Sequence, residues 1–149
     1  MKFRDHKKMP PVGAAMTPFP YSVRPDEPIA EVERLIREHG IRHVPVQETG
    51  RVTGIISERD LRAIRRAPFP EVRSAELRAG DIATEEPYLV DFETPLGEVV
   101  STMAERRIGS AVVVRRGRLA GILSVVDVCR VLAGLLEARF PSPPDDEAA

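Results

Sequence analysis

Two short stretches carry residues that could do chemistry, and they share one pattern. Residues 54 to 60 read GIISERD, and residues 121 to 127 read GILSVVD. Each places a serine hydroxyl three residues ahead of a carboxylate, Ser57 with Asp60 and Ser124 with Asp127. A serine that opens a helix and an acid three positions later satisfy each other's backbone amides, an arrangement known as a capping box. The same pair suits a ligand. A helix N-terminus offers amide donors and a favourable field to an anion, and a carboxylate accepts from two neighbouring hydroxyls. On the motif alone both uses stay open.

Other reactive constellations are missing from the sequence. It has no glycine-rich phosphate loop ending in lysine and no H-E-x-x-H pair. His6, His39 and His43 stand without a cysteine cluster, which argues against a structural zinc site. No histidine follows Ser57 or Asp60 at a spacing that suggests a proton relay. The chain is therefore expected not to be an enzyme, to hold no metal and to require no cofactor. With no catalytic domain recognised, it would act on something else.

The two phrases lie 67 positions apart, and the rest of the chain follows the same offset. Thr17 aligns with Thr84, Tyr21 with Tyr88, Pro28 with Pro95, Gly50 with Gly117 and Arg51 with Arg118. From Thr17 to Asp60 there are 16 identities in 44 positions. Unrelated segments would share about three. One unit has been duplicated.

Each unit reads as short strand, helix, strand, strand, helix. Pro28 suits the first turn of a helix whose Ile29, Val32, Leu35 and Ile36 share one face, and His39-Gly40 ends it. Residues 41–47 and 51–56 are strands around a tight turn at Thr49-Gly50, hence an antiparallel hairpin. Ser57 starts the next helix. In the second unit Thr94 is the expected cap of a helix opened by Pro95, with Leu96, Val99, Val100 and Met103 buried. Strands at 110–114 and 119–123 flank Arg116-Gly117, and Ser124 caps a last helix. Tyr21 and Tyr88 read as packing residues. The implied boundaries are a flexible basic arm (1–11), a first unit (12–66), a connector (67–79), a second unit (80–140) and a disordered tail (141–149).

The chain has 149 residues, 42% of them hydrophobic and 30% charged, with a net charge of −1. That is enough for one body of two fused halves. No apolar run reaches membrane-spanning length, and Cys129 is alone, so the expected setting is cytoplasmic. The charge balance argues against a nucleic-acid-coating protein. Lys2, Arg4, Lys7 and Lys8 keep a minor nucleic-acid alternative open, with little binding expected. The last helix carries Val128, Val131, Leu132, Leu135 and Leu136, more apolar surface than one core needs. A homodimer is expected through it.

The repeated phrase, the unit order, Ala15-Met16-Thr17 at the start of unit one and the strand His43-Val44-Pro45-Val46 together resemble the CBS-domain family. The resemblance covers about residues 12 to 137. It implies an α+β fold of two tandem β-α-β-β-α repeats packed with pseudo-twofold symmetry, leaving two clefts. It also implies a regulatory module that binds adenosine-containing ligands such as AMP, ADP or ATP and acts on an unknown protein target. By resemblance, Asp60 and Asp127 would accept from ribose hydroxyls and Ser57 and Ser124 would bond phosphate. Thr17 and Thr84 would line the adenine or ribose end, and Arg42 and His43 would reach phosphate. Arg59 joins them as a basic candidate. The second unit departs with Gly109 and Ser110 in place of Arg42 and His43, and with Val125-Val126 in place of Glu58-Arg59, so the clefts are not expected to be equivalent. The alternative is a structural or protein-interaction module with vestigial clefts.

Overall fold

The structure is a computed structural model that describes residues 8–18 and 21–143. Lys2, Arg4 and Lys7 of the basic arm and residues 144–149 of the tail lie outside the described residues. No helix among the described residues is long and apolar enough to cross a membrane.

The chain runs through β1 (Thr17–Pro18), α1 (Ile29–His39), β2 (His43–Glu48), β3 (Arg51–Ser57), α2 (Glu58–Arg65), α3 (Pro70–Glu76) and α4 (Ala79–Ile82). The second half follows as β4 (Leu89–Asp91), α5 (Leu96–Arg106), β5 (Ser110–Arg115), β6 (Arg118–Ser124) and α6 (Val125–Arg139). Both hairpins turn on two residues of positive φ, Thr49 and Gly50 in the first and Arg116 and Gly117 in the second. Two such residues match the right-handed twist of the flanking strands.

The sheets are built from both halves. One has the order β1-β6-β5-β4, with Thr17 opposite Ile122 and β4 parallel to β5. The other is the β2–β3 hairpin, bridged by Val23 beside Val46 and by Thr84 beside Ile55. The two arrangements match position for position at the 67-residue offset. In each case the segment that leads into one half completes the sheet of the other.

The cores show the same exchange. Ala79 is fully buried among Val23, Ile29, Val32, Val44, Ile56 and Leu61 of the first half. Val12 is fully buried among Val90, Leu96, Val99, Ala111 and Leu123 of the second. Backbone bonds reinforce this: Val12 N donates to Thr94 O at 2.7 Å, and Ala79 N donates to Glu27 O at 2.8 Å. Segments at the edges of the units also enter the cores. Residues 67–79, between the units, contain α3 and the buried Ala79. The arm ends before residue 11, because Pro10 O accepts from Leu96 N at 2.9 Å and Met9 Sδ accepts from Gly97 N at 3.3 Å. Thr94 is not a side-chain cap. Pro95 occupies the cap position with no side-chain bond, and the Thr94 carbonyl is the group in use.

Val44-Pro45-Val46 and Ala111-Val112-Val113 are buried at every position. Successive residues of a strand point to opposite faces, so both faces of each sheet are covered. Val44, Val46, Ala111 and Val113 face the helices of their own halves, leaving Pro45 and Val112 on the opposite faces, between the halves.

Candidate functional site

Ser57 and Ser124 are the N-cap residues of α2 and α6, and both capping boxes are complete. The Ser57 side chain accepts from Asp60 N at 3.2 Å, and Asp60 Oδ2 accepts from Ser57 N at 2.7 Å. The Ser57 hydroxyl also donates to Asp60 Oδ2 at 2.9 Å. In the second half the three distances are 3.2, 2.8 and 2.8 Å. The next amide of each helix is taken as well: Glu58 N donates to Arg42 O at 2.8 Å, and Val125 N donates to Gly109 O at 3.0 Å. Much of the donor capacity expected of these helix ends is thus used within the chain. Each box uses one carboxylate oxygen and leaves the second, Oδ1, outside its own bonding.

The two second oxygens differ. Asp127 Oδ1 accepts from Thr17 Oγ1 at 3.1 Å, a bond spanning 110 residues, and from Arg130 Nη1 at 3.2 Å. Asp127 is 6% exposed. Asp60 is more open, and among the described residues no protein donor reaches its Oδ1. Thr84 stands by Ile55, where the two residues exchange backbone bonds of 2.9 and 3.2 Å. The threonines are therefore exchanged like the rest of the leading segments. Thr17 belongs with Ser124 and Asp127, whereas Thr84 belongs with the strand that ends in Ser57.

The glycine of each phrase explains how close this approach is. A Cβ at Gly54 would lie 2.8 Å from Thr84 O and 2.9 Å from Ala83 Cβ. One at Gly121 would lie 2.6 Å from Thr17 O and would also strike Met16 Sδ. Only glycine lets the crossing segment lie flat on the strand.

His43 sits opposite Ser57 at the start of the β2–β3 ladder. Its Nε2 is 3.4 Å from where a Cβ at Gly109 would be. The ring therefore lies in van der Waals reach of position 109, where the repeats differ, and a small side chain there would also fit. Burial pushes the imidazole below its ordinary range, Asp60 pulls it back in part, and Arg42 adds to the lowering. This disfavours the charged imidazole, so the fixed positive charge expected of the first half rests on the exposed Arg42 and Arg59. Tyr21 stacks on His39 with centroids 3.7 Å apart, and Arg106 lies 5.0 Å over the Tyr88 ring. Both tyrosines pack on the helix end of their own half. Among the described residues no group of His, Cys, Asp and Glu could hold a metal ion.

Arg130 was missed in the sequence. Its signal was present, since an arginine three residues after an aspartate shares its helix face. The repeat carries no sign of it, because the equivalent position in the first half is Ala63.

The CBS domain profile matches residues 12–66 and 79–134. Among solved structures, AcuB of Vibrio cholerae is 26% identical, with a TM-score of 0.77 over 92% of this chain and 100% of that one. CBSX2 in complex with AMP is also 26% identical, with a TM-score of 0.71 over 84% of this chain and 97% of that one. Inosine-5'-monophosphate dehydrogenase of Staphylococcus haemolyticus (strain JCSC1435) is 29% identical over 117 residues, 76% of this chain and 22% of the enzyme. The chain spans about a quarter or less of the length of such curated relatives. The matched residues, the exchanged leading segments and the paired sheets agree, and the chain belongs to the CBS-domain family, with two tandem CBS units.

Proposed function

We propose that the protein is a regulatory module that senses an adenosine-containing ligand, of the AMP, ADP or ATP class, in its inter-unit clefts and passes occupancy to a protein target. The observation that carries this reading is Asp60 Oδ1. It is a carboxylate oxygen held in place by a complete capping box, with no protein donor among the described residues; its carboxylate and Arg42 both act on the His43 ring, and the exposed Arg59 precedes it on the helix. A ribose supplies the hydroxyls that such an oxygen accepts, and the arginines suit the phosphate. The similarity to CBSX2, solved with AMP, supports the same class. Ser57, Ser124, Thr84 and Asp127 complete the proposed ligand set, and Thr17, placed beside Asp127, engages that carboxylate when no ligand is bound. The role is regulatory rather than catalytic.

A thermal-shift panel of AMP, ADP, ATP, NAD, cyclic dinucleotides and S-adenosylmethionine tests it. A ligand that binds only the folded state raises its stability, by about 2.7 kcal/mol at a hundredfold excess over Kd. An adenosine compound is expected to raise the melting temperature, and a flat panel would contradict the reading. The alternative, an interaction module with vestigial clefts, draws on one observation: Asp127 is already satisfied by protein donors.

We also propose a homodimer through α6. Leu132, Leu135 and Leu136 are 52%, 47% and 48% exposed, and Phe140 is 71% exposed. Val128 and Val131, on the inner side of the helix, pack against the second core, so the outer stripe is left for a partner.

A further inference from the structure

Resting on the reading that these clefts take a ribose, we propose that Arg130 and Thr17 latch the second cleft shut by occupying Asp127, and that Arg130 sets which of the two clefts binds ligand. An ionised carboxylate has about four acceptor positions, two on each oxygen. At Asp127 all four are filled. Oδ2 takes the Ser124 amide and hydroxyl, and Oδ1 takes Thr17 Oγ1 and Arg130 Nη1. At Asp60 the Oδ2 pair is the same, but the two positions on Oδ1 have no protein donor among the described residues. A ribose brings two neighbouring hydroxyls, which is the number that Asp60 can still accept and Asp127 cannot.

The difference traces to two residues. Ala63 occupies in α2 the place of Arg130 in α6, and an alanine has no donor. Arg62, the neighbouring base on α2, is held by Glu58 at 3.1 Å. Thr84 makes no side-chain bond to Asp60, whereas Thr17 reaches Asp127. The latch is displaceable. The Arg130 side chain is 73% exposed, so solvent screens its pair with Asp127 and the guanidinium can leave without being stranded. The second cleft is therefore a low-affinity site, filled only at ligand levels that saturate the first.

Isothermal calorimetry with AMP on the full chain tests this, using wild type, Arg130→Ala, the double variant Thr17→Val/Arg130→Ala, and Ala63→Arg. Melting temperatures confirm folding. Wild type is expected to bind one AMP per chain tightly, and Asp60→Asn removes it. Removing the latch is expected to reveal a second AMP per chain, tightened about tenfold or more in the double variant, which Asp127→Asn in that background removes again. Ala63→Arg is expected to weaken the first site. Wild type with one AMP and a double variant that still binds one would overturn the latch and leave the Asp60 reading standing. Wild type with two equal sites would also overturn it. No AMP bound by any variant would overturn both readings. Binding only in the double variant, lost with Asp127→Asn, would support the latch while overturning the assignment of the first site to Asp60.

Discussion

Asp60 and Asp127 cap their helices in the same way, but Asp127 is also buried and holds Thr17 and Arg130, so its stabilising role is the larger. Asp60→Asn is expected to cost roughly 1 kcal/mol or less of stability, because Ser57 remains as the cap, and Asp127→Asn is expected to cost more. Their ligand roles should not match. Asp60→Asn is expected to lower adenine-nucleotide affinity at least about tenfold, the cost of losing a charged acceptor. His43 adds a pH signature. Its folded value lies below the ordinary value that it regains in the unfolded chain. As pH falls, the unfolded state takes up the proton first. The stability that comes from keeping His43 neutral is complete above the ordinary histidine value and is lost as pH drops from there toward the folded value. Melting temperature measured from about pH 8 to pH 5 is expected to fall less in His43→Gln than in wild type. An equal fall in both would show that His43 is not buried as described.

At the scale of elements, the helices and hairpins were legible because a local period and a repeat signal pointed the same way. Ile29, Val32 and Leu35 are buried on α1 as their spacing requires, and Thr49-Gly50 turns the hairpin. The exchange of leading segments was not legible. Val12 and Ala79 are single small apolar residues with no periodic neighbours, and nothing local says which core they enter. The glycines of the repeated phrase were visible, but their reason lies in a segment far away in sequence. Gly54→Ala is expected to cost about 1–3 kcal/mol through overpacking against Thr84 O and Ala83. Chemical denaturation would read this, and a loss below about 0.5 kcal/mol, ordinary for a surface change, would mean that the crossing segment is not seated there. The helix ends offer a converse case. α1 ends on Gly40 at φ 61°, whereas α5 ends on Arg107 at φ 54°. A left-handed arginine costs about 1 kcal/mol that glycine does not. Arg107→Gly is therefore expected to stabilise the protein, and a clear loss of stability would contradict that.

At the scale of the molecule, two repeats of one fold, with 16 identities in 44 positions, differ in how their matching carboxylates are engaged. The exchanged segments bind the halves into one body, and each capping box stands beside a segment contributed by the other repeat. The asymmetry was legible in part, as the uneven supply of basic residues. Its sharper form, a carboxylate already engaged in one half and open in the other, needed the fold to bring Thr17 to Asp127. The α6 stripe was legible as surplus apolar residues, and the fold leaves it exposed. Leu135→Lys is expected to turn a dimer into a monomer by light scattering while leaving the fold intact. A wild-type monomer at micromolar concentration would contradict the dimer.

The most direct measurement is an AMP titration by calorimetry of wild type beside Asp60→Asn. The expected result is one tight site per chain in wild type, weakened about tenfold or more in the variant. Unchanged affinity in the variant, or no binding by wild type, would contradict a nucleotide sensor built on Asp60.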